Sequence, residues 1–245
     1  MDDFDARLYA LLHTGNPGDL AFYRRQCRGA GSILELGCGA GRVLAAVRQG
    51  GAQVTGVDAH PGMCALAQAR VPGVEVLVGD MRSLALGRQF DRVLLVYNSL
   101  YCVQDDAEAV QVLQVARRHL APGGRVVFDG YQVEVEPADL TDDSSPEWMA
   151  DLRVDGQRVE IFEQDQHWPA TRDCAVTYTH AFADGRRVVY TLRHHYLAAT
   201  ALPALLAAAG LRAVGVYGDF DGRPLAAGPR LVVVAAQADD PAQGP

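Results

Sequence analysis

The stretch Ile33-Leu34-Glu35-Leu36-Gly37-Cys38-Gly39-Ala40-Gly41-Arg42 decides the fold of this chain of 245 residues. An apolar run that ends at an acid and leads into alternating glycines is typical of a buried strand that turns into a helix beneath a ligand. A side chain at Gly37 or Gly39 would keep a ligand off the backbone, and the turn needs dihedral angles that glycine adopts easily. The amide N–H groups of such a turn suit a carboxylate or a phosphate.

Composition and charge indicate a globular protein with a small-molecule partner. Apolar residues make up 49% of the chain and charged residues 21%. A formal net charge of -8 disfavours a nucleic-acid partner, because binding such polymers depends on neutralising phosphates. The acidic start and the short apolar segment 197–211, which Pro203 interrupts, predict no export signal and no membrane span. We therefore expect a cytoplasmic protein.

The five cysteines are scattered through the chain, and no pair has the spacing of a metal or redox motif. They predict reduced thiols that pack in the interior, and no metal site. Cys38 lies in the glycine-rich turn, so it is either a ligand neighbour or a small residue in a crowded loop.

Strands and helices alternate along the first half of the chain. Strands are predicted at 53–58, 74–78, 90–97 and 125–129, and helices at 42–49, 61–70 and 105–120. This alternation predicts an α/β fold with a doubly wound, mostly parallel sheet. Ligands of such folds bind at the carboxyl ends of the strands.

The pattern changes after Tyr131. An acidic loop at 134–147 precedes extended segments, and alternating residues at 174–182 and 188–196 form a hairpin about Asp184-Gly185. This predicts an antiparallel β-sheet inserted into the α/β fold. We divide the chain into N-terminal helices and cofactor-binding core (1–131), an inserted sheet that caps the substrate (132–198), the last core elements (199–237) and a disordered tail (238–245).

Several motifs together resemble those of the class I S-adenosylmethionine-dependent methyltransferases. Glu35 to Gly41 looks like the first motif of that family, and Asp58 like the acid that ends its second strand. Gly79-Asp80-Met81 resembles the adenine-side motif, and the segments 90–91 and 120–124 resemble the borders of the fourth and fifth strands. The resemblance implies a Rossmann-like seven-stranded sheet whose last strand is antiparallel. The inserted sheet is similar to that of small-molecule N-methyltransferases acting on amino sugars or glycine.

The resemblance implies S-adenosyl-L-methionine as the cofactor. The turn amides would hold its methionine carboxylate, Asp58 its ribose hydroxyls, and Asp80 with Met81 its adenine. Asp58 could instead cap the following helix, and Asp80 could be an ordinary turn acid. The predicted cofactor-binding residues are Tyr23, Glu35, Gly37, Cys38, Gly39, Gly41, Asp58, Ala59, Met63, Asp80, Met81, Arg82, Tyr97 and Asn98.

The acceptor side is predicted from aromatic residues near the same edge and on the inserted strands. The predicted substrate-binding residues are Tyr9, His13, Tyr101, Tyr131, Tyr178 and Tyr196. A hydroxyl acceptor needs a base, for which His180 and His194 are the candidates, whereas a deprotonated amine needs none. Either histidine could instead belong to the core, as could Tyr101, and Asn98 could be a turn former.

These patterns predict a methyltransferase that acts on a nitrogen or oxygen of a small molecule. A non-catalytic protein that binds S-adenosylmethionine for regulation is one alternative. An NAD-dependent oxidoreductase is another, but Arg42 stands where that class usually has a third glycine. A homodimer formed through the inserted sheet is a further expectation.

Overall fold

The computed structural model describes residues 5–133 and 145–239, which form two β-sheets and six α-helices. The helices are α1 Ala6–Leu12, α2 Asp19–Gln26, α3 Arg42–Arg48, α4 Pro61–Arg70, α5 Asp106–Arg118 and α6 Leu202–Ala208. The first sheet contains β1 Ser32–Leu36, β2 Gln53–Asp58, β3 Glu75–Val78, β4 Phe90–Leu95, β5 Leu120–Tyr131, β10 Leu211–Tyr217 and β11 Arg230–Gln237. The second contains β6 Glu147–Val154, β7 Gln157–Trp168, β8 Asp173–Phe182 and β9 Arg187–His195.

The first sheet has the strand order β10-β11-β5-β4-β1-β2-β3. Only β11 runs against its neighbours, while β1 to β5 pair in parallel. The strand order reverses between β1 and β4, so a crevice for a ligand is expected where these two strands end. The predicted doubly wound sheet with an antiparallel last strand is therefore confirmed.

Both faces of this sheet are covered by helices, which explains why its central strands are continuously apolar. Leu34 and Leu36 of β1 face a core that includes α5 and α6, whereas Ile33 faces the core of α2, α3 and α4. Successive residues thus contribute to opposite layers of the molecule. The apolar run before the glycine-rich turn fixes β1 at the centre of the fold.

The second sheet is antiparallel, as predicted, with the order β6-β7-β8-β9. Cys174 and Tyr178 of β8 lie opposite His194 and Tyr190 of β9, so the predicted alternation places these side chains on one face. We call this the inner face, because Leu8 of α1 packs there in a small apolar cluster. Strand β6 extends the sheet beyond the predicted hairpin.

A polar junction joins the second sheet to the first. His195, at the end of β9, is buried, and its ring nitrogens lie 2.9 Å from Asp173 Oδ1 and 3.2 Å from Asp106 Oδ1. The Arg172 guanidinium also donates to Asp106, the first residue of α5. The predicted acidic loop falls largely outside the described residues, and so do 240–245 of the predicted tail.

Candidate active site

The glycine-rich turn lies at the carboxyl end of β1. Gly37, Gly39 and Gly41 have φ angles of 72°, 52° and 74°, a region that favours glycine. A Cβ atom at Gly37 would stand 2.7 Å from Ser99 Oγ, whereas a Cβ atom at Gly39 would meet no atom within 4 Å. Ser99 therefore packs against the turn at Gly37. At Gly39 the turn faces open space, where a ligand can approach the backbone.

Asp58, at the end of β2, holds this turn in place. Its Oδ2 atom accepts a 2.8 Å hydrogen bond from the Gly39 amide, and its Oδ1 atom accepts one of 2.9 Å from the His60 amide. Helix α4 begins after His60 and has no side-chain cap, so Asp58 does not cap its first turn. Each carboxylate oxygen retains a lone pair that a ligand hydroxyl can use.

A cavity of about 80 Å³ opens beside the turn. It lies between the turn, α1 and the segment that follows β4. The predicted site residues that line it are Tyr9, His13, Glu35, Gly37, Cys38, Gly39 and Tyr97. Residues from both predicted groups, cofactor and substrate, therefore meet in one place.

Two buried acids belong to this region, because Glu35 lines the cavity and Asp129 accepts a hydrogen bond from the amide of Tyr97, which also lines it. Burial raises the pKa of Glu35 to about 8, and its Oε2 atom has no hydrogen-bond partner among the described residues. Burial also raises the pKa of Asp129 to about 6, although Tyr23 Oη and the Tyr97 amide donate to Asp129 Oδ1. Tyr23 itself is completely buried and does not line the cavity. The unpartnered Glu35 oxygen suits a polar or cationic ligand group.

The sequence did not predict that Arg42 lines the cavity. It was noted only because it replaces the third glycine of the dehydrogenase pattern. Its guanidinium binds Asp19 of α2 with two hydrogen bonds of 3.0 and 2.6 Å. Asp129 was missed as well, although it lies close to the carboxyl end of its strand, as Glu35 and Asp58 do. An acid at the end of a parallel strand was the signal that could have found it.

The adenine-side candidates lie near the end of β3 and do not line the cavity. Arg82 donates to both oxygens of Asp80 and also pairs with Glu108. Met81 packs against the core that includes α5 and α6. Met63 is buried in α4, and Ala59 is exposed beside Asp58. The adenine contact of Asp80 and Met81, and a cofactor contact of Arg82, Met63 or Ala59, stay predictions.

The segment after β4 is strained and tightly fixed. Tyr97 and Asn98 have φ angles of 55° and 64°, which are rare for residues other than glycine. Asn98 Oδ1 accepts a hydrogen bond from the Tyr131 amide, and the Asn98 carbonyl accepts one from the Tyr101 amide. A cofactor contact of Asn98 stays a prediction. Tyr101 and Tyr196 pack in the core that includes α5 and α6, and the Tyr101 hydroxyl donates a hydrogen bond to the Tyr131 carbonyl. Neither tyrosine lines the cavity.

His13 connects the cavity to the inner face of the second sheet. Its ring centroid lies 4.0 Å from that of Tyr9 and 5.2 Å from that of Tyr178, and its Nδ1 atom lies 3.5 Å from Tyr97 Oη. Burial lowers the pKa of His13 to about 4, so the ring is neutral at physiological pH. The Nε2 atom has no hydrogen-bond partner within the described chain.

The two predicted bases differ in their surroundings. His194 Nδ1 lies 2.9 Å from Tyr131 Oη, which also contacts Cys174 Sγ, and burial lowers the pKa of His194 to about 4. His180 is completely buried beside Tyr190, and neither ring nitrogen finds a partner in the described segments. Both have lowered pKa values and are therefore weak bases.

Sequence reasoning also missed Glu163. This residue of β7 lies opposite Tyr178 in the register of β7 and β8, so its side chain is on the inner face of the second sheet. The alternation of β7 is less regular than that of its neighbours, which hid the face on which Glu163 lies.

Among the described residues, no three or more histidine, cysteine, aspartate or glutamate side chains are grouped so that they could hold a metal ion. None of the helices in the described ranges is long and apolar enough to cross a membrane.

Comparison with known proteins places this site in a family. Residues 33–124 match the family model described as a methyltransferase domain. The chain is 28% identical to cypemycin N-terminal methyltransferase of a Streptomyces species over 222 residues, which cover 84% of this chain and 82% of that protein. It is also 28% identical to dTDP-3-amino-3,4,6-trideoxy-alpha-D-glucopyranose N,N-dimethyltransferase of Streptomyces venezuelae, over 91% of this chain and 96% of the relative.

A similar solved structure is that of CalS10, an amino pentose methyltransferase from Micromonospora echinaspora. The TM-score is 0.72 at 25% identity, and the match covers 96% of this chain and 97% of that chain. Both sheets are therefore within the region of similarity. Together with the glycine-rich turn and the strand order, these matches show that the chain is a class I S-adenosylmethionine-dependent methyltransferase that resembles the amino-sugar N-methyltransferases.

Proposed function

We propose that this methyltransferase transfers the methyl group to an amine nitrogen, and that its acceptor is an amino sugar carried on a nucleotide. The observation that carries the choice of nitrogen is that the two histidines predicted as bases for a hydroxyl acceptor, His180 and His194, both have lowered pKa values. His13 and His194 both have a pKa of about 4 because they are buried. Such a group cannot deprotonate a hydroxyl, whereas an amine needs only to lose the proton of its ammonium form.

The relatives support the same choice. The names of the two curated relatives describe methylation at a peptide N-terminus and at an amino sugar, and CalS10 is described as an amino pentose methyltransferase. The chain covers most of the length of all three, including the inserted sheet. The sugar is the preferred candidate because two of the three act on amino sugars.

The residues around the cavity fit S-adenosylmethionine, which supplies a methyl group bonded to a positively charged sulfur. In the proposal the open amide of Gly39 and the carboxylate of Asp58 bind the cofactor. Glu35 offers an unpartnered oxygen to its cationic end. Tyr9 and His13 close the cavity from α1, so they can align the acceptor and exclude water.

The experiment that tests the proposal offers the protein S-adenosylmethionine with two nucleotide sugars that differ only in one group. One is dTDP-3-amino-3,4,6-trideoxyglucose, and the other carries a hydroxyl in place of the amine. Mass spectrometry should show a methylated product with the amine alone. A product with the hydroxyl alone would overturn the choice of nitrogen, and binding of S-adenosylhomocysteine without any product would favour a regulatory protein.

The partner and location follow from the same proposal. A soluble nucleotide sugar fits a cytoplasmic enzyme, and the exposed outer face of the second sheet fits a homodimer. Both are part of the proposal.

A further inference from the structure

Arg42, the first residue of α3, joins the glycine-rich turn to the N-terminal part of the chain. Arg42 lines the cavity, and its guanidinium binds both carboxylate oxygens of Asp19, at 3.0 and 2.6 Å. The Asp19 side chain is 4% exposed and that of Arg42 is 21% exposed, so this ion pair is largely buried. A buried pair adds little net stability, because the cost of desolvation offsets the attraction between the charges. Its planar geometry with two hydrogen bonds does, however, fix the elements that it joins in one relative position.

We propose that the Arg42–Asp19 pair holds residues 13–18 against the glycine-rich turn, so that Tyr9 and His13 stay beside the bound cofactor. We call residues 13–18 the connecting segment, because they join α1 to α2. Arg42 is then a positioning residue, since it acts on the cofactor through the residues of α1 and its end. The inference rests on the proposed function in one respect, which is the place of S-adenosylmethionine in the cavity.

Gly15 of the connecting segment packs directly on the Arg42 guanidinium. A Cβ atom at Gly15 would stand 2.3 Å from Arg42 Cζ, a distance at which one of the two groups must move. Because two hydrogen bonds fix the guanidinium on Asp19, it can move only by breaking them. The φ angle of Gly15, 99°, also favours glycine. A glycine at this position therefore allows the connecting segment to lie on Arg42.

Two further hydrogen bonds hold the same segment. The Asn16 amide donates to Asp19 Oδ2 at 3.0 Å, and the Arg230 guanidinium of β11 donates to Asn16 Oδ1 at 2.6 Å. Arg42 Cζ also lies 5.9 Å from the ring centroid of Tyr97, which is within the range of a cation–π contact. Tyr97 lines the cavity. Arg42 thus contacts the connecting segment, α2 and a wall of the cavity at the same time.

Helix α1 depends on this support, because its other attachments are weak. It has seven residues, and isolated helices shorter than about 12 residues are marginally stable. Leu8 packs in the small apolar cluster of the second sheet, and Arg7 forms an exposed ion pair with Asp155 that contributes little. Tyr9 lies in this helix and His13 caps its end, and both line the cavity. The position of this cavity wall therefore depends on the connecting segment.

The proposed role predicts which binding rate changes. A cofactor in the cavity leaves more easily when the wall formed by Tyr9 and His13 moves away. Weakening the Arg42–Asp19 pair should therefore raise the dissociation rate. The association rate should change little, because entry of the cofactor does not require that the wall is already in place.

The test measures both rates for S-adenosylhomocysteine by surface plasmon resonance. Asp19→Asn keeps the shape of the side chain but removes its charge, and Gly15→Ala forces the Arg42 guanidinium away from Asp19. Each variant should dissociate at least about fivefold faster than the wild type, which is the lower end of typical coupling between two sites. The association rates should stay within about twofold of the wild-type rate.

Gly18→Ala is the matched control for Gly15→Ala. Gly18 belongs to the same segment and has a φ angle of 83°, so an alanine there carries similar backbone strain. The nearest neighbour of its Cβ atom would be Phe220 Cβ at 3.7 Å, an ordinary contact. Gly18→Ala should lower the Tm as Gly15→Ala does, while its dissociation rate matches that of the wild type. Equal dissociation rates in the two alanine variants would assign the segment a purely structural role and overturn the inference.

Arg42→Lys separates positioning from direct contact with the ligand, because lysine keeps the charge but cannot form the two-bond geometry. Under the proposal, Arg42→Lys, Asp19→Asn and the double variant should share one dissociation rate, since the two residues act as a unit. If Arg42 instead bound the carboxylate of the ligand directly, Asp19→Asn would free Arg42 for that contact and slow dissociation. That outcome would overturn the inference.

Hydrogen exchange of the cofactor-free protein gives a readout that is independent of the ligand. The amides of α1 should exchange faster in Asp19→Asn and Gly15→Ala than in the wild type, and those of β1 should not. Unchanged exchange together with unchanged dissociation in both variants would overturn the inference and leave the proposed function standing. Failure of the wild type to bind S-adenosylhomocysteine would overturn the proposed function as well.

Discussion

Asp58 shows how one side chain can serve both the fold and the ligand. It accepts the amides of Gly39 and His60, so it shapes the turn before any cofactor arrives. In the proposed function its remaining lone pairs bind the ribose of the cofactor. Removing it should therefore weaken cofactor binding both directly and through the turn.

We expect Asp58→Ala to lower the affinity for S-adenosylhomocysteine by about ten- to a hundredfold, because a hydrogen bond to a charged group contributes about 1.5–3 kcal/mol. Titration calorimetry measures this. Asp91→Ala is the matched control, because Asp91 also accepts two backbone amides, of Gly31 and Ser32, at the opposite edge of the sheet. Equal affinity losses in both variants would assign Asp58 a purely structural role.

Glu35 makes the stability of the cofactor-free protein depend on pH. Burial raises its pKa from 4.5 to about 8, with Arg42 partly opposing the rise. Between these values the native state keeps a proton that the unfolded state releases, so the free energy of unfolding decreases as pH rises. The stabilisation is complete below pH 4.5 and is lost as the pH passes through about 8.

Glu35→Gln should remove this slope, which is at most about 1.4 kcal/mol per pH unit. Urea unfolding at pH 6 and pH 8 measures it, and above pH 6 Asp129, with a pKa of about 6, contributes little to the difference. Glu75→Gln is the control, because the Glu75 carboxyl, bound by Arg88, has a lowered pKa and is ionised throughout. The same slope in Glu35→Gln and in the wild type would contradict the prediction.

At the scale of single residues, the sequence predicted backbone roles better than side-chain contacts. The positive φ angles of the glycines follow from local sterics, so the pattern alone was sufficient. Tyr101, which follows β4, and Tyr23, which lies on α2, were predicted at the site but are buried in the core. The sequence did not show on which side of its element either ring lies. The position of Glu163 on the inner face was missed because it follows from the register with another strand.

At the scale of elements, helix α5 is joined to the second sheet by a group of charged side chains. Asp106 begins α5 and binds Arg172 and His195, which flank β8 and end β9. The His195 side chain is only 5% exposed, so removing one of its two acid partners leaves a buried polar atom unsatisfied. We infer that this junction fixes the second sheet over the cavity.

Asp106→Ala should lower stability by about 1–3 kcal/mol, which corresponds to about 2–4 °C in Tm per kcal/mol for a chain of this size. Differential scanning calorimetry measures the shift. The KM of the acceptor should rise while the affinity for S-adenosylhomocysteine stays within twofold. Asp151→Ala, which removes an exposed ion pair with Arg158, should change none of these quantities. A loss of cofactor affinity in Asp106→Ala would show that the junction supports the turn instead.

Among the elements, those with strong local patterns were predicted and those defined by pairing were not. Strands β8 and β9 alternate strictly, and their predicted faces are confirmed by the register. Strand β6 was missed because its apolar residues Trp148 and Met149 are exposed and it is stabilised by pairing with β7. Strand β5 begins at Leu120, before the predicted Arg125, because Leu120 pairs with Phe90.

At the scale of the whole molecule, the two sheets expose different surfaces. The outer face of the second sheet carries a row of cross-strand neighbours, Trp148, Phe162, Thr179 and Val189. Trp148 is 60% exposed and Val189 45% exposed. An apolar row of this kind on a regular sheet suits a self-complementary contact between two copies.

We expect the homodimer of the proposal to form through this row, so light scattering should give twice the chain mass of 26.3 kDa. Val189→Lys should convert it to a monomer, because each copy would place a charge at the centre of an apolar contact, and a twofold axis doubles the effect. Val214→Lys is the matched control, because Val214 of β10 is 43% exposed but lies on the first sheet. A dimer that persists in Val189→Lys and dissociates in Val214→Lys would move the interface to the first sheet, and a monomeric wild type would exclude the dimer altogether.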